Sequence, residues 1–105
     1  MDTLKRQGLE AAGWSVGNAE DFLGLSPEEL AFVEVKLALS KLLKELRISQ
    51  KLSQQALAER IKSSQSRVAK MEAGDPSVSL ELIVRTLLST GATRKDIAEA
   101  IVEHT

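Results

Sequence analysis

Apolar residues recur at three- and four-residue intervals along residues 26–103, which is the spacing of amphipathic helices. Each segment begins after a serine or threonine able to cap a helix, and the first also carries a proline at its first helical position. No segment alternates apolar and polar residues as a strand does. The pattern predicts an all-α bundle of five helices: Pro27 to about Gln50, Gln54 to about Ile61, about Gln65 to Glu72, Leu80 to Ser89, and Arg94 to about Glu103.

The first predicted helix is apolar on two sides. Leu39 and Leu46 belong to one stripe, whereas Leu30 and Leu37 belong to a second stripe that faces elsewhere. We expect residues 1–25 or another subunit to cover this second face. Residues 1–25 are the least regular part of the chain and contain four glycines, so they are predicted to form an N-terminal extension to a domain spanning residues 26–105.

The charge is unevenly distributed along the chain. Residues 1–35 hold two basic residues against seven acidic ones, residues 36–74 nine against three, and residues 75–105 three against five. A basic middle between acidic flanks is expected when one face meets phosphates, although a solvated helix surface gives the same pattern.

Composition argues against several function classes. The chain of 105 residues has no cysteine, and its one histidine is His104, so thiolate metal sites and Ser-His-Asp catalysis are disfavoured. No glycine-rich phosphate loop, HExxH or GxSxG motif is present. The apolar runs fall short of the roughly 20 residues of a membrane helix, and the start lacks the pattern of a secretion signal. We therefore expect a cytoplasmic protein that is not an enzyme and has no cofactor, metal or membrane partner.

Two short helices separated by about three residues lie between residues 53 and 74, and this spacing is typical of a helix-turn-helix. Leu57, Ala58 and Ile61 are the predicted buried face of the first of these helices. Val68 and Met71 are the predicted buried face of the second helix. The small Ala58 side chain suits a close crossing of two helix backbones.

Four elements of this region carry a resemblance to a known family, because they are spaced along the chain as they are in that family. They are Ser53-Gln54, Leu57-Ala58, Val68 and Glu72-Ala73-Gly74. Through them the chain resembles the Cro/CI-type, or XRE, helix-turn-helix repressors over roughly residues 35–88. The resemblance implies a lambda-repressor-like DNA-binding bundle with a long first helix. Two positions depart from the family pattern: Lys62 replaces the usual turn glycine and Ser63 the usual apolar residue. A lysine with positive φ costs about 1 kcal/mol, so the angle between the two helices stays open.

The resemblance further implies that the helix beginning at Gln65 reads the DNA major groove, where Gln65 could pair with adenine and Lys70 with guanine. The expected base-contacting residues are Ser64, Gln65, Ser66 and Lys70. The expected phosphate-contacting residues are Ser53, Gln54, Arg67 and Lys51. The alternative is that these polar side chains are merely solvated.

Arg47 and Glu72 stand where the family has a largely buried ion pair between the first helix and the recognition helix; two ordinary surface charges are the alternative. If the pair is buried, removal of one partner is expected to cost about 3–5 kcal/mol.

Two functional hypotheses follow. The first is a sequence-specific repressor that binds a pseudo-palindromic operator as a homodimer and controls its own promoter. Some of the apolar residues of the last two helices are expected to line the dimer contact: Leu82, Ile83, Leu87, Leu88, Ile97, Ile101 and Val102. The second hypothesis is a protein-interaction module in which DNA binding is secondary. It rests on the segments around Asp21–Glu29 and Gly74–Ser79, which look like those of antitoxins that neutralise a small ribonuclease toxin.

Overall fold

A computed structural model describes residues 24–103, and within this range the chain is helical with no strand. The expected five-helix bundle is confirmed, with bounds that differ from the sequence prediction by at most one residue. The predicted extension therefore lies outside the described residues except for Gly24 and Leu25, and His104 lies outside them too. The helices are α1 (Pro27–Ser49), α2 (Gln54–Arg60), α3 (Gln65–Ala73), α4 (Leu80–Thr90) and α5 (Arg94–Glu103).

The helices begin where side chains satisfy their first backbone N–H groups. Ser26 and Glu29 form a complete capping box, in which the Glu29 N–H donates to the serine Oγ at 3.1 Å and the Ser26 N–H donates to Glu29 Oε1 at 2.8 Å. Thr93 and Asp96 make the reciprocal pair at the start of α5. The caps of α2, α3 and α4 are Ser53, Ser64 and Ser79.

Helices α1 to α4 all end in the same way. At each end a residue in the left-handed conformation donates its N–H to the carbonyl three residues back, and the next N–H donates to the carbonyl five residues back. The left-handed residues are Lys51 (φ 59°), Lys62 (φ 58°), Gly74 (φ 67°) and Gly91 (φ 113°). Glycine adopts this conformation without penalty, whereas lysine carries a conformational cost of about 1 kcal/mol.

The core lies between α1 and the remaining helices: α1 packs against α3, α4 and α5, and α2 packs against α3. Leu39 and Leu43 of α1 meet Leu57, Val68 and Met71 of the helix-turn-helix there, and all five are fully or almost fully buried. Ile61, expected on the same face, is only partly buried at its edge. The helix-turn-helix therefore sits on a rigid apolar support.

The second apolar face of α1 forms a separate cluster. Leu30 and Leu37 are buried in it, and Leu25 and Val33 pack against them. Phe32, in the same part of the helix, stays 52% exposed. Leu25 thus supplies part of the covering expected from residues 1–25.

Candidate nucleic-acid interface

Helix α3 has one face fixed in the core and the opposite face open to solvent. Val68 and Met71 are fully buried, and Glu72 is 4% exposed. The α3 residues expected to contact DNA, and the cap residue before them, lie on the other side and are exposed: Ser64, Gln65, Ser66, Arg67 and Lys70. Because the buried face is fixed by packing, the exposed side chains project from a scaffold of defined orientation.

A shallow concavity separates α3 from the segment that leads into α4. It is lined by Ser64, Ser66, Arg67 and Lys70, together with Ser77 and Val78. Two cations thus stand beside three hydroxyl groups, a set that can bind phosphate or base edges. Ser77 was not among the residues selected from the sequence, and only the tertiary fold brings it to this surface.

Ser77 is held by the carboxylate of Asp75. Its N–H and its hydroxyl both donate to Asp75 Oδ1, at 2.8 and 2.6 Å. These hydrogen bonds, side chain first and backbone second, lower the pKa of Asp75 from its ordinary value, with smaller contributions from the charges of Lys70 and Lys36. Lys36 also donates from Nζ to the Asp75 carbonyl at 3.0 Å, so the segment after α3 is tied to α1.

Arg47 and Glu72 join α1 to α3 through a two-point ion pair. Arg47 Nε lies 2.6 Å from Glu72 Oε2, and Nη2 donates to Oε1 at 3.1 Å. The side chains are only 11% and 4% exposed, respectively. Arg47 Nη1 also donates to the Leu52 carbonyl at 2.8 Å, so the same guanidinium holds the connection into α2.

Gln54 extends this network from the buried pair to the exposed face. Its Nε2 donates to Glu72 Oε1 at 3.1 Å, and its Oε1 accepts from Gln65 Nε2 at 2.7 Å. A primary amide has two hydrogens and two acceptor positions, so Gln65 retains one hydrogen and its oxygen for a partner outside the protein. Nε2 of Gln54 likewise has a second hydrogen that the bond to Glu72 does not use.

The remaining phosphate candidates lie in the connection between α1 and α2. Ser53 is exposed, and its Oγ accepts from the Ala56 N–H at 3.0 Å as the cap of α2. Lys51, two residues before Ser53, is exposed and has a left-handed backbone conformation. Neither residue lines the concavity of α3, so this connection forms a separate part of the expected interface.

The turn between α2 and α3 keeps the left-handed conformation that glycine usually supplies. Lys62 has φ 58°, and the Ser63 N–H donates to the Ala58 carbonyl at 2.8 Å. The departure in sequence therefore does not alter the type of turn. Ser63, in place of an apolar residue, is half-buried.

Residues 43–85 match the family model described as helix-turn-helix. The matched range begins within α1 and ends within α4, so it includes the ion pair, the turn and the whole exposed face of α3. The match supports an XRE-type helix-turn-helix regulator. The matched family is a family of DNA-binding regulators and not a family of enzymes.

No curated protein and no solved structure matched this chain. Within residues 24–103, no helix combines the length and the apolar character that a membrane span requires.

Proposed function

We propose that the chain is a sequence-specific repressor that reads the major groove of double-stranded DNA with α3. The observation that carries this proposal is the exposed row of Ser64, Gln65, Ser66, Arg67 and Lys70 on a helix whose other face is buried. Gln65 has the donor and acceptor that adenine N7 and N6 require, and Lys70 can donate to guanine O6 and N7.

The phosphate contacts are assigned to two parts of the surface. Ser53, Gln54 and Lys51 lie in and after the connection between α1 and α2, whereas Arg67 lies on the flank of α3. Such contacts position the protein, and the base contacts give it specificity. A duplex lying against α3 would meet both groups.

A homodimer on a pseudo-palindrome is part of the proposal, because one such motif contacts only half a site and the halves lie about 34 Å apart. Burial restricts which apolar residues can form the contact. Ile83 and Leu87 are fully buried in the core of the single chain, whereas Leu88 is 47% exposed and Val102 is 69% exposed. The solution mass at binding concentrations tests this part, and a monomer would contradict it.

The central experiment is a titration of the protein with its own promoter region across a range of salt concentrations. Specific binding is expected to weaken as salt rises, with a slope set by the number of neutralised phosphates. Unrelated DNA of the same length is the control. Equal affinity for both DNAs would contradict sequence-specific repression, and binding to the promoter alone would support autoregulation. The cytoplasmic location stays a prediction.

A second proposal is that the chain is an antitoxin that neutralises a small ribonuclease. It is favoured by an apolar groove lined by Phe32, Val33, Leu37, Pro76 and neighbouring residues, which could bind a segment of a protein partner. A reading frame for a small basic protein beside the gene would support it. Co-expression then tests it: Phe32→Asp is expected to release the partner and leave promoter binding intact.

A further inference from the structure

The four equivalent helix ends of the bundle do not carry equivalent residues. Glycine occupies the left-handed position after α3 and α4, and lysine occupies it after α1 and α2. The hydrogen bonds are of the same kind at all four ends, so the backbone requirement is the same. A lysine at such a position is less favourable than the glycine used elsewhere in the same molecule.

Packing explains one of the glycines but neither lysine. A Cβ on Gly74 would lie 2.5 Å from Leu37 Cδ2, so no other residue fits there without a rearrangement. Lys51 and Lys62 are both exposed, so neither side chain fills the core. An exposed residue kept in an unfavourable backbone conformation points to a role for its side chain outside the fold.

The position of Lys62 suggests what that role is. Lys62 lines a groove between the turn, α3 and α4, and two further cations, Arg67 and Arg85, line the same groove. Arg67 also lines the concavity that contains Ser64, Ser66 and Lys70. Arg67 therefore belongs to both the groove that Lys62 lines and the concavity of α3, and the positive charge continues from the concavity into the groove.

We propose that Lys62 is a further phosphate-binding residue of the DNA interface, and that the turn holds it in the left-handed conformation to place its ammonium group beside Arg67. This inference rests on the proposed DNA-binding function. Lys51, the other left-handed lysine, stands in the corresponding position before α2. Each lysine thus stands two residues before the serine that caps the next helix: Lys51 before Ser53 of α2, and Lys62 before Ser64 of α3.

Lys62→Gly tests the inference because it removes the charge and the backbone cost together. The variant is expected to unfold at a temperature about 4–8 °C higher than the wild type, since left-handed glycine is unstrained. It is also expected to bind its promoter about fivefold more weakly at 0.15 M salt, with the salt slope reduced by about one unit. The affinity for unrelated DNA is expected to fall by the same factor, because phosphate contacts carry no sequence information.

Two matched variants separate charge from backbone conformation. Lys62→Arg keeps the charge and the strain, and its affinity and salt slope are expected to match the wild type. Lys62→Asn removes the charge but tolerates the left-handed conformation, so it is expected to bind like Lys62→Gly. Lys95→Gln on α5 is the control for the loss of one exposed cation outside the helix-turn-helix, and it is expected to leave promoter affinity unchanged.

Two results would overturn the inference while leaving the proposed function intact. One is wild-type affinity and salt slope in Lys62→Gly. The other is a lower unfolding temperature in Lys62→Gly, which would mean that the lysine stabilises the end of α2. If the wild-type protein binds no DNA under any salt condition, the proposed function itself fails, and the role of Lys62 fails with it.

Discussion

Arg47 contacts both carboxylate oxygens of Glu72, and this one pair joins the long first helix to the helix proposed to read DNA. Both side chains are largely removed from solvent. Neither charge could be left alone in this position without a large penalty, since desolvation of an unpaired ion is costly.

Glu72→Ala is expected to destabilise the domain by about 3–5 kcal/mol, because it leaves the Arg47 guanidinium buried without its partner. Urea unfolding measures this free energy. Glu81→Ala is the control, since it breaks the Glu81–Arg85 pair on α4, whose side chains are 72% and 76% exposed. That change is expected to cost at most about 0.5 kcal/mol. An equal loss of unfolding free energy in the two variants would contradict a larger contribution from the buried Arg47–Glu72 pair.

Gln54→Ala is expected to affect both affinity and base preference. From the sequence alone, Gln54 is a phosphate contact whose loss weakens all DNA sequences about equally. The hydrogen bond from Gln65 adds a second effect, because Gln65 loses the partner that orients it. Titration of operators with and without the adenine read by Gln65 checks this. A uniform loss on both operators would restrict Gln54 to a phosphate role.

Lys70→Ala is expected to relax base preference at one operator position and cost about 1–3 kcal/mol of specific binding. Lys70 is exposed in the concavity of α3, so its removal is not expected to lower the unfolding temperature by much. A panel of single-base operator variants gives the measurement. Unchanged affinity and unchanged preference would mean that α3 is placed wrongly against the duplex.

Gly74→Ala is expected to destabilise the domain by roughly 2–4 kcal/mol, because it combines positive φ with a clash against Leu37. Gly24→Ala is the matched control, since Gly24 also has positive φ (69°) but no atom within 4 Å of an added Cβ. It is expected to cost about 1 kcal/mol. The difference between the two unfolding free energies isolates the packing contribution, and no difference would contradict it.

Acid is expected to destabilise the domain through its capping carboxylates. The hydrogen bond from the Thr93 backbone, and next the contact with its side chain, hold the pKa of Asp96 below its ordinary value of 3.8. The Ser26 backbone does the same for Glu29, whose ordinary pKa is 4.5. These contributions are complete above the ordinary pKa values and are lost as pH falls through the lowered ones.

Thermal unfolding measured between pH 6 and pH 2 tests this dependence. Asp96→Ala is expected to show a smaller loss of stability on acidification than the wild type, and Glu99→Ala on the same helix is the control for the change in charge. Burial raises the pKa of Glu34 and acts in the opposite direction, since its protonation favours the folded state. An identical acid response in wild type and Asp96→Ala would contradict the assignment.

Where the helices begin and end could be predicted from the sequence, because those signals are local. Ser26 with Pro27 and Glu29, or Thr93 with Asp96, fixes a helix start within one turn of chain. The spacing of residues 53–74 likewise indicated the helix-turn-helix before any contact was known. Resemblance to the XRE repressors suggested the pairing of Arg47 with Glu72, although 25 residues separate them along the chain.

Which side chains meet across the helices depends on how the helices pack, and local sequence does not give it. Nothing local distinguishes Leu87 from Leu88, yet one is fully buried and the other about half exposed, because α4 turns only one face toward α1. The link from Glu72 through Gln54 to Gln65, and the groove that brings Lys62 beside Arg67, likewise join residues from different elements. Their proximity depends on the angles at which α1, α2, α3 and α4 pack, and those angles follow from the whole core.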